Sequence, residues 1–187
     1  MLLIVATGFE RLYEVALSNR NAAKAFAKGG VEFGRSHYPF MVALHTGLLV
    51  ACIVEVFAVG RPFIAILGWP MLVLVAACQA LRYWCIGTLK GQWNARVIVV
   101  AGLGRVVSGP YRYLAHPNYV AVVVEGIALP LVHTDWITAT IFTVLNAVLL
   151  LGFRIPTEER AIGSLTHGTG IPPVTEIPPM SEIPPLR

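Results

Sequence analysis

Two short polar segments of the chain carry the side chains best suited to binding a charged ligand. The first, Ser108–Tyr119, holds three tyrosines and His116, and it leads directly into Pro117. Proline suits the first position of a helix, because its missing N–H would have no partner there. His116 therefore lies at a helix N-terminus, where free N–H groups and the helix dipole favour an anion. The segment predicts a pocket for a charged, partly aromatic ligand, although tyrosines and basic residues also serve as anchors at a membrane interface.

The second segment, Arg154–Arg160, places two carboxylates, Glu158 and Glu159, between two arginines. Paired carboxylates can accept hydrogen bonds from ribose hydroxyls or from an ammonium group. An amphipathic helix at a membrane interface, with a solvated cluster of charges, would give the same pattern. The segment alone leaves both interpretations open.

A third set of polar residues lies within apolar segments. Gln79 and Arg82 are three residues apart and share a helical face. Polar groups inside a span usually face the bundle interior or a cavity, but Arg82 is also close enough to a helix end to reach the interface. We expect Glu125 to line the floor of a pocket, and Glu55, near the outer end of its segment, to reach the membrane surface.

The composition indicates that these residues belong to a membrane protein. Of 187 residues, 56% are hydrophobic and 13% are charged, whereas soluble domains carry about a quarter charged residues. The basic residues behind the net charge of +4 are dispersed between apolar runs, unlike the basic stripe of a nucleic-acid binder. The three cysteines form no CxxC pair and no metal-ligand spacing, so we expect neither a disulfide framework nor a metal site. The expected partner is the lipid bilayer and not nucleic acid.

Five apolar segments are predicted to cross the membrane, since a span needs about 20 residues. They are Met1–Leu17, Tyr38–Val59, Phe63–Leu89, Pro117–Val132 and Trp136–Phe153. Pro70 is expected to divide the third segment into a short lead-in and a full-length helix. Charged residues interrupt the first segment, so an amphipathic helix lying along the membrane is its alternative. The sequence thus predicts an all-α integral membrane bundle of about five transmembrane helices.

The basic residues of the short loops predict how this bundle is oriented. Four lie between the first and second segments and four between the third and fourth, whereas the alternate connections hold only Arg61. This distribution places the N-terminus outside, the C-terminus in the cytoplasm and both ligand-binding segments at the cytoplasmic face. Residues 1–162 would form the membrane domain. Residues 163–187 carry a proline-rich six-residue repeat and are predicted to be a disordered tail.

Taken together, these segments resemble the isoprenylcysteine carboxyl methyltransferase family, whose relatives include the membrane phospholipid methyltransferases. Gly109–Tyr119 is similar to the family's GPYRYxRHPxY element, and Arg154–Glu159 to its R-x-x-x-EE element, two hydrophobic spans later. Arg82–Trp84 and Leu89–Trp93 resemble its RYW and LGxxW stretch. Gly30–Pro39 resembles a GGVExGRxHYP stretch of one bacterial branch. The similarity runs over most of residues 10–162.

The resemblance implies a methyltransferase that uses S-adenosylmethionine and releases S-adenosylhomocysteine, in a bacterial inner membrane with its active site facing the cytoplasm. Arg154 would lie between the methyl donor and the acceptor. A phenol acceptor would need a nearby base, and by its chemistry His116 or Glu125 could serve. The residues expected to bind the donor are Tyr113, His116, Pro117, Tyr119, Glu158 and Glu159. Those expected to contact a lipid-soluble acceptor, entering sideways from the bilayer, are Gln79, Arg82 and Trp93.

Two departures from the family pattern bear on the acceptor. Ala115 stands where many members carry an arginine, and Pro156 stands where a second basic residue is common. Without these two cations, the carboxylate of a substrate would be bound more weakly. We therefore expect the enol or phenol oxygen of a polyketide-derived lipid, such as an alkylpyrone or alkylresorcinol, rather than a prenylated cysteine. The alternatives are N-methylation of a phospholipid amine and a non-enzymatic transporter or assembly subunit, although transporters place their ionisable groups near the membrane midplane.

Overall fold

A computed structural model describes residues 1–166 of the chain. Most of this range is helical, with two short strands, and a π-helical turn at Leu150–Arg154 joins the last two helices. In chain order the elements are α1 Leu2–Phe26, β1 Val31–Phe33, α2 Tyr38–Val59, α3 Ala65–Leu89, β2 Val97–Val99, α4 Pro117–Leu131, α5 Trp136–Leu149 and α6 Ile155–Thr166. Helix α6 runs past the predicted domain boundary at residue 162, and the proline-rich repeat lies outside the described residues.

The helices make this chain an integral membrane protein. Three helical stretches, Arg35–Val59, Ala65–Gln92 and Trp136–Gly163, are long and apolar enough to cross a bilayer. Helix α4 is apolar but shorter, and α1 carries charged residues along its length. The count of five spans and the orientation of the termini therefore stay predictions.

Two helices differ from the predicted boundaries. Helix α1 does not stop at Leu17 but continues to Phe26, because the following residues include good helix formers and bond to a neighbouring loop. The amide of Asn21 donates to the carbonyl of Trp93 at 2.8 Å. Helix α3 is continuous and is not divided at Pro70. Proline removes one backbone donor, and near the helix start this loss breaks only a single bond.

The bundle packs most closely around α4, which lies between α3 and α5. Gly126 of α4 has no side chain where the Phe142 ring of α5 lies against the backbone, so a Cβ at this position would clash with the ring. Ala128 and Leu129 extend this contact into a buried apolar core. The outward faces expose large apolar side chains, including Phe57, Ile66, Val73 and Leu151, as lipid contact requires.

Glu55 caps a neighbouring helix and does not reach the membrane surface as predicted. Its carboxylate is buried and accepts a hydrogen bond from the N–H of Thr138 at 2.8 Å. The guanidinium of Arg61 pairs with it at 2.8 Å. The first N–H groups of a helix lack partners within the helix, so Glu55 satisfies donors at the start of α5.

A two-stranded antiparallel ribbon interrupts the otherwise helical fold and was not part of the all-α prediction. Val31 of β1 lies opposite Val99 of β2, although the two strands are far apart in sequence. Val97 and Val99 pack against Ala161 of α6 in a small buried cluster. The ribbon thus fixes the start of α6 beside the end of the bundle that contains the site.

Candidate functional site

A cavity of about 820 Å³ lies within the helical bundle and reaches the end at which α4 begins. This volume is in the range of about 300–1,000 Å³ that small-molecule sites occupy. The walls come from α1, α2, the end of α3, the segment around β2 and the starts of α4 and α6. The charged and polar side chains that line it include Arg11, Glu14, His45, Arg82, His116, Asn118, Tyr119, Arg154 and Glu158.

Four of these side chains form one connected group, which we call the His116 cluster: His116, Tyr119, Arg154 and Glu158. The rings of His116 and Tyr119 stack with their centroids 5.4 Å apart. The His116 Nδ1 atom lies 3.6 Å from a carboxylate oxygen of Glu158. The Tyr119 hydroxyl donates to Glu158 and accepts a hydrogen bond from Arg154 Nε at 2.9 Å.

Local backbone structure places the members of the cluster. Pro117 is the first residue of α4 and is fully buried, so it fixes His116 at the helix start. Arg154 ends the π-helical turn, a feature that often marks functional sites because it displaces one residue from the regular helix. Its Nη2 atom donates to the carbonyl of Ala95 at 2.6 Å. This bond ties the guanidinium to the segment that precedes β2.

The electrostatics of the cluster favour charged forms of its acid and its base. The Glu158 carboxylate, 3.6 Å from Nδ1, outweighs burial and raises the pKa of His116 above its usual value. Burial would raise the pKa of Glu158, but hydrogen bonds with His116 and Tyr119, together with the charge of Arg154, lower it overall. Glu158 is therefore an anion at neutral pH and suits a ligand that carries hydroxyl or ammonium donors.

A second charged group, the inner ion cluster, consists of Arg11, Glu14, Gln79, Arg82 and Glu125. Glu125 accepts hydrogen bonds from Arg11 at 2.8 Å and from Gln79 at 2.9 Å, and it also pairs with Arg82. Arg11 pairs with Glu14 at 2.5 Å. Gln79 and Arg82 meet the same partner, as their spacing on one face of α3 predicts. Arg82 is buried within the bundle, so the alternative in which it reaches the interface is wrong.

The structure separates the predicted site residues into two sets. His116, Tyr119, Glu158, Arg154, Arg82 and Trp93 all line the cavity. Tyr113, Pro117, Glu159, Gln79 and Glu125 are not among the lining residues. Tyr113 is 74% exposed, and the Glu159 side chain is 66% exposed with its carboxylate 3.6 Å from His116 Nε2. Glu125 is covered by its arginine partners rather than forming the predicted cavity floor. The individual binding and catalytic roles stay predictions.

Several residues of the cavity wall were not among the predicted site residues. The amide oxygen of Asn118 is buried and has no hydrogen-bond partner in the part of the chain that the structure describes. Tyr111, rather than Tyr113, contributes the second tyrosine of the segment to the wall. Arg11 and Glu14 also line the cavity. The only sign of this in the sequence was that both residues interrupt an apolar segment.

The cavity wall is rich in positive charge. Eight lining residues are basic and two, Glu14 and Glu158, are acidic. The basic residues are Arg11, Lys24, Lys28, Arg82, Lys90, Arg96, Arg105 and Arg154. Arg105 donates to the carbonyl of Ala115 at 3.5 Å, so a guanidinium lies beside residue 115 although that residue carries none itself. An anion is the favoured occupant of this part of the cavity.

Fold and site together define an integral membrane protein with a charged ligand cavity that reaches one end of a helical bundle. Residues 71–164 match the model of the isoprenylcysteine carboxyl methyltransferase (ICMT) family. This range contains the whole His116 cluster. The chain belongs to this family and is a membrane methyltransferase.

Two relatives are similar over most of their length. An uncharacterized protein of Bacillus subtilis, YpbQ, is 35% identical over 162 residues, which cover 86% of this chain and 95% of the relative. An uncharacterized protein of Haemophilus influenzae is 26% identical over 156 residues, covering 83% of this chain and 90% of the relative. No solved structure matches the chain.

Proposed function

We propose that this methyltransferase transfers the methyl group of S-adenosylmethionine to an oxygen of a hydrophobic, polyketide-type lipid. The favoured acceptor is the enol of an alkylpyrone or the phenol of an alkylresorcinol. The observation that carries the proposal is a single cavity whose wall joins the His116 cluster to a cation-rich surface among membrane helices. Such a cavity can hold a polar donor and a lipid acceptor side by side.

The residues of the His116 cluster fit the donor. When bound, the donor supplies a methyl group on a sulfonium. The ionised carboxylate of Glu158 can accept hydrogen bonds from ribose hydroxyls or from the donor's ammonium group, and the unpartnered amide oxygen of Asn118 adds a second acceptor. The stacked rings of His116 and Tyr119 offer an aromatic surface for the adenine. Arg154, which donates a hydrogen bond to Tyr119, would lie between the donor and the acceptor.

The rest of the cavity suits an acidic acceptor with an alkyl chain. Its excess of cations stabilises an oxygen that ionises and repels an ammonium group, which disfavours N-methylation of a phospholipid amine. The carboxylate of Glu125, which would favour an amine acceptor if it faced the cavity, is instead paired with Arg11 and Arg82. Leu12 of α1 and Val42 of α2 line the cavity and are also exposed on the lipid-facing surface. An alkyl chain can therefore extend between these helices into the bilayer.

Methyl transfer mainly requires that the donor and the acceptor are aligned and that water is excluded. The buried Arg154 and the half-buried Tyr119 serve both needs. We place this site at the cytoplasmic face of a bacterial inner membrane, because the basic loops lie at the same end of the bundle.

Binding of S-adenosylhomocysteine to the purified protein tests the donor site. We expect Glu158→Gln and His116→Asn to weaken binding in calorimetry by about 10-fold or more, since each removes a charged side chain of the cluster proposed to hold the donor. Glu10→Gln, at an exposed carboxylate that is not among the cavity-lining residues, is the matched control and should change affinity by about 3-fold or less. Wild-type protein that fails to bind the ligand would overturn the proposed methyl donor.

Labelled S-adenosylmethionine tests the acceptor. Vesicles containing an alkylpyrone, an alkylresorcinol, a farnesylated cysteine or phosphatidylethanolamine are offered separately to the wild-type protein. We expect the label in the ether of the pyrone or resorcinol. Label in the cysteine ester or in the phospholipid amine would overturn the acceptor while leaving the donor site intact.

A further inference from the structure

His45 lines the cavity, and one of its two ring nitrogens makes no hydrogen bond in the part of the chain that the structure describes. Its Nδ1 atom lies 2.8 Å from the carbonyl oxygen of Met41, one turn earlier in α2. A carbonyl oxygen only accepts hydrogen bonds, so Nδ1 carries the proton of the neutral ring, and Nε2 holds a lone pair. Within residues 1–166 no hydrogen bond is made at Nε2.

Packing holds this ring in place beside the charged groups of the cavity. The ring meets Phe142 of α5 edge to face, with centroids 5.4 Å apart. Three charged residues on three different helices act on it: Arg11 of α1, Arg82 of α3 and Glu125 of α4. Both arginines line the cavity together with His45. A histidine in an apolar helix is usually an inert packing residue, but His45 lines a cavity together with Arg11 and Arg82 and makes no hydrogen bond at Nε2 within residues 1–166.

We propose that His45 is the general base that removes the proton from the acceptor hydroxyl. The inference rests on the proposed O-methylation and adds a catalytic residue to it. The O–H bond of the acceptor breaks and its proton moves to Nε2, while Arg11 and Arg82 stabilise the resulting oxyanion. The oxygen then forms a bond to the methyl carbon, and the electron pair of the carbon–sulfur bond leaves with the sulfur of S-adenosylhomocysteine. His45 afterwards loses the proton to water at the cavity mouth.

Two acceptors of different acidity separate this role from a structural one. The enol of a long-chain alkylpyrone is acidic and ionises without help, whereas the phenol of an alkylresorcinol is a weak acid and needs a base. We expect His45→Gln to lower the methylation rate of the resorcinol by about 10²-fold or more, and that of the pyrone by about 10-fold or less. Raising the pH should restore part of the resorcinol rate, because hydroxide then ionises the phenol.

The controls are a second variant in α2 and a binding measurement. Val50→Ala changes an exposed residue of the same helix that is not among the cavity-lining residues, and should leave both rates within about 3-fold of wild type. Calorimetry should show unchanged binding of S-adenosylhomocysteine to His45→Gln. Equal losses with both acceptors, loss of S-adenosylhomocysteine binding, or an unchanged resorcinol rate would each overturn the role of His45. Wild-type protein that binds S-adenosylhomocysteine but methylates neither probe would overturn the proposed acceptor as well.

Discussion

His116 and Glu158 each shift the pKa of the other toward the charged form, so the pair is strongest where both groups are ionised. Their side chains are 16% and 29% exposed, which leaves them partly shielded from solvent and salt. The same pair forms the proposed donor site. Its strength therefore affects stability and ligand binding together.

The pH dependence of the protein's stability should reveal the contribution of the His116–Glu158 pair. A raised histidine pKa contributes stability that is fully present below about 6.5 and is lost as pH rises through the higher folded-state value. A lowered glutamate pKa contributes stability that is present above about 4.5 and is lost as pH falls through the lower folded-state value. The melting temperature of His116→Asn, measured in detergent, should therefore fall furthest below wild type between these values, by about 2–4 °C. The difference should shrink toward pH 9.

A second histidine provides the control for that experiment. Burial lowers the pKa of His133, so protonation of this residue weakens the fold as pH falls. The melting temperature of His133→Asn relative to wild type should consequently rise, not fall, on acidification. The same pH trend in both variants would contradict the assignment of the effect to the His116–Glu158 pair.

At the scale of helices and strands, the contact between Glu55 and the start of α5 should be a stabilising element in its own right. Glu55→Gln removes the charge that holds Arg61 and weakens the bonds to the first N–H groups of α5. We expect it to reduce the free energy of unfolding by about 1–3 kcal/mol, since it affects a buried hydrogen-bonded charge. Denaturation in mixed detergent micelles measures this difference.

Glu10→Gln is the matched control for the Glu55 variant. Glu10 also accepts a hydrogen bond, from the Tyr83 hydroxyl at 2.7 Å, but that bond is exposed to the surroundings. Its replacement should cost about 0.5 kcal/mol or less. Equal effects of the two substitutions would show that Glu55 does not act as a helix cap.

These elements also show what the sequence could predict. The starts and ends of α2, α4 and α5 lie within a few residues of the predicted spans, because hydropathy reports the length of an apolar segment directly. The ribbon was missed, since three-residue strands that pair across more than 60 positions leave no periodic signal. The burial of Glu55 was missed for a related reason, because its partners belong to a helix that follows much later in the chain.

For the candidate site, too, the sequence predicted one part and missed another. The motif predicted which segments meet, and the structure joins His116 and Tyr119 to Arg154 and Glu158. The motif could not predict which tyrosine of Ser108–Tyr119 faces the cavity, because a 3₁₀ turn over Gly109–Arg112 sets the direction of these side chains. The covering of Glu125 by arginines also depends on α1, whose position relative to α4 is a property of the packed bundle.

At the scale of the whole molecule, charge and chemistry are concentrated at one end of the bundle. The C-terminal part of α1 and the loops that precede α2 and α4 carry eight of the fourteen lysines and arginines, and the His116 cluster lies beside them. At the other end the α2–α3 and α4–α5 connections meet, with the Thr134 hydroxyl donating to the carbonyl of Pro62 at 3.1 Å. Because the donor is a cytoplasmic metabolite, the proposed function requires the first of these ends to face the cytoplasm.

Labelling of introduced cysteines in intact bacterial cells tests that orientation. The three native cysteines are buried, so wild-type protein should give little background with a membrane-impermeant thiol reagent. We expect Pro62→Cys, at the outer end, to react in intact cells. Val107→Cys, whose position is 69% exposed beside the His116 cluster's end of the bundle, should react only after the membrane is permeabilised. The opposite pattern would place the His116 cluster outside the cell, away from the methyl donor, and the proposed reaction could not then take place in the predicted orientation.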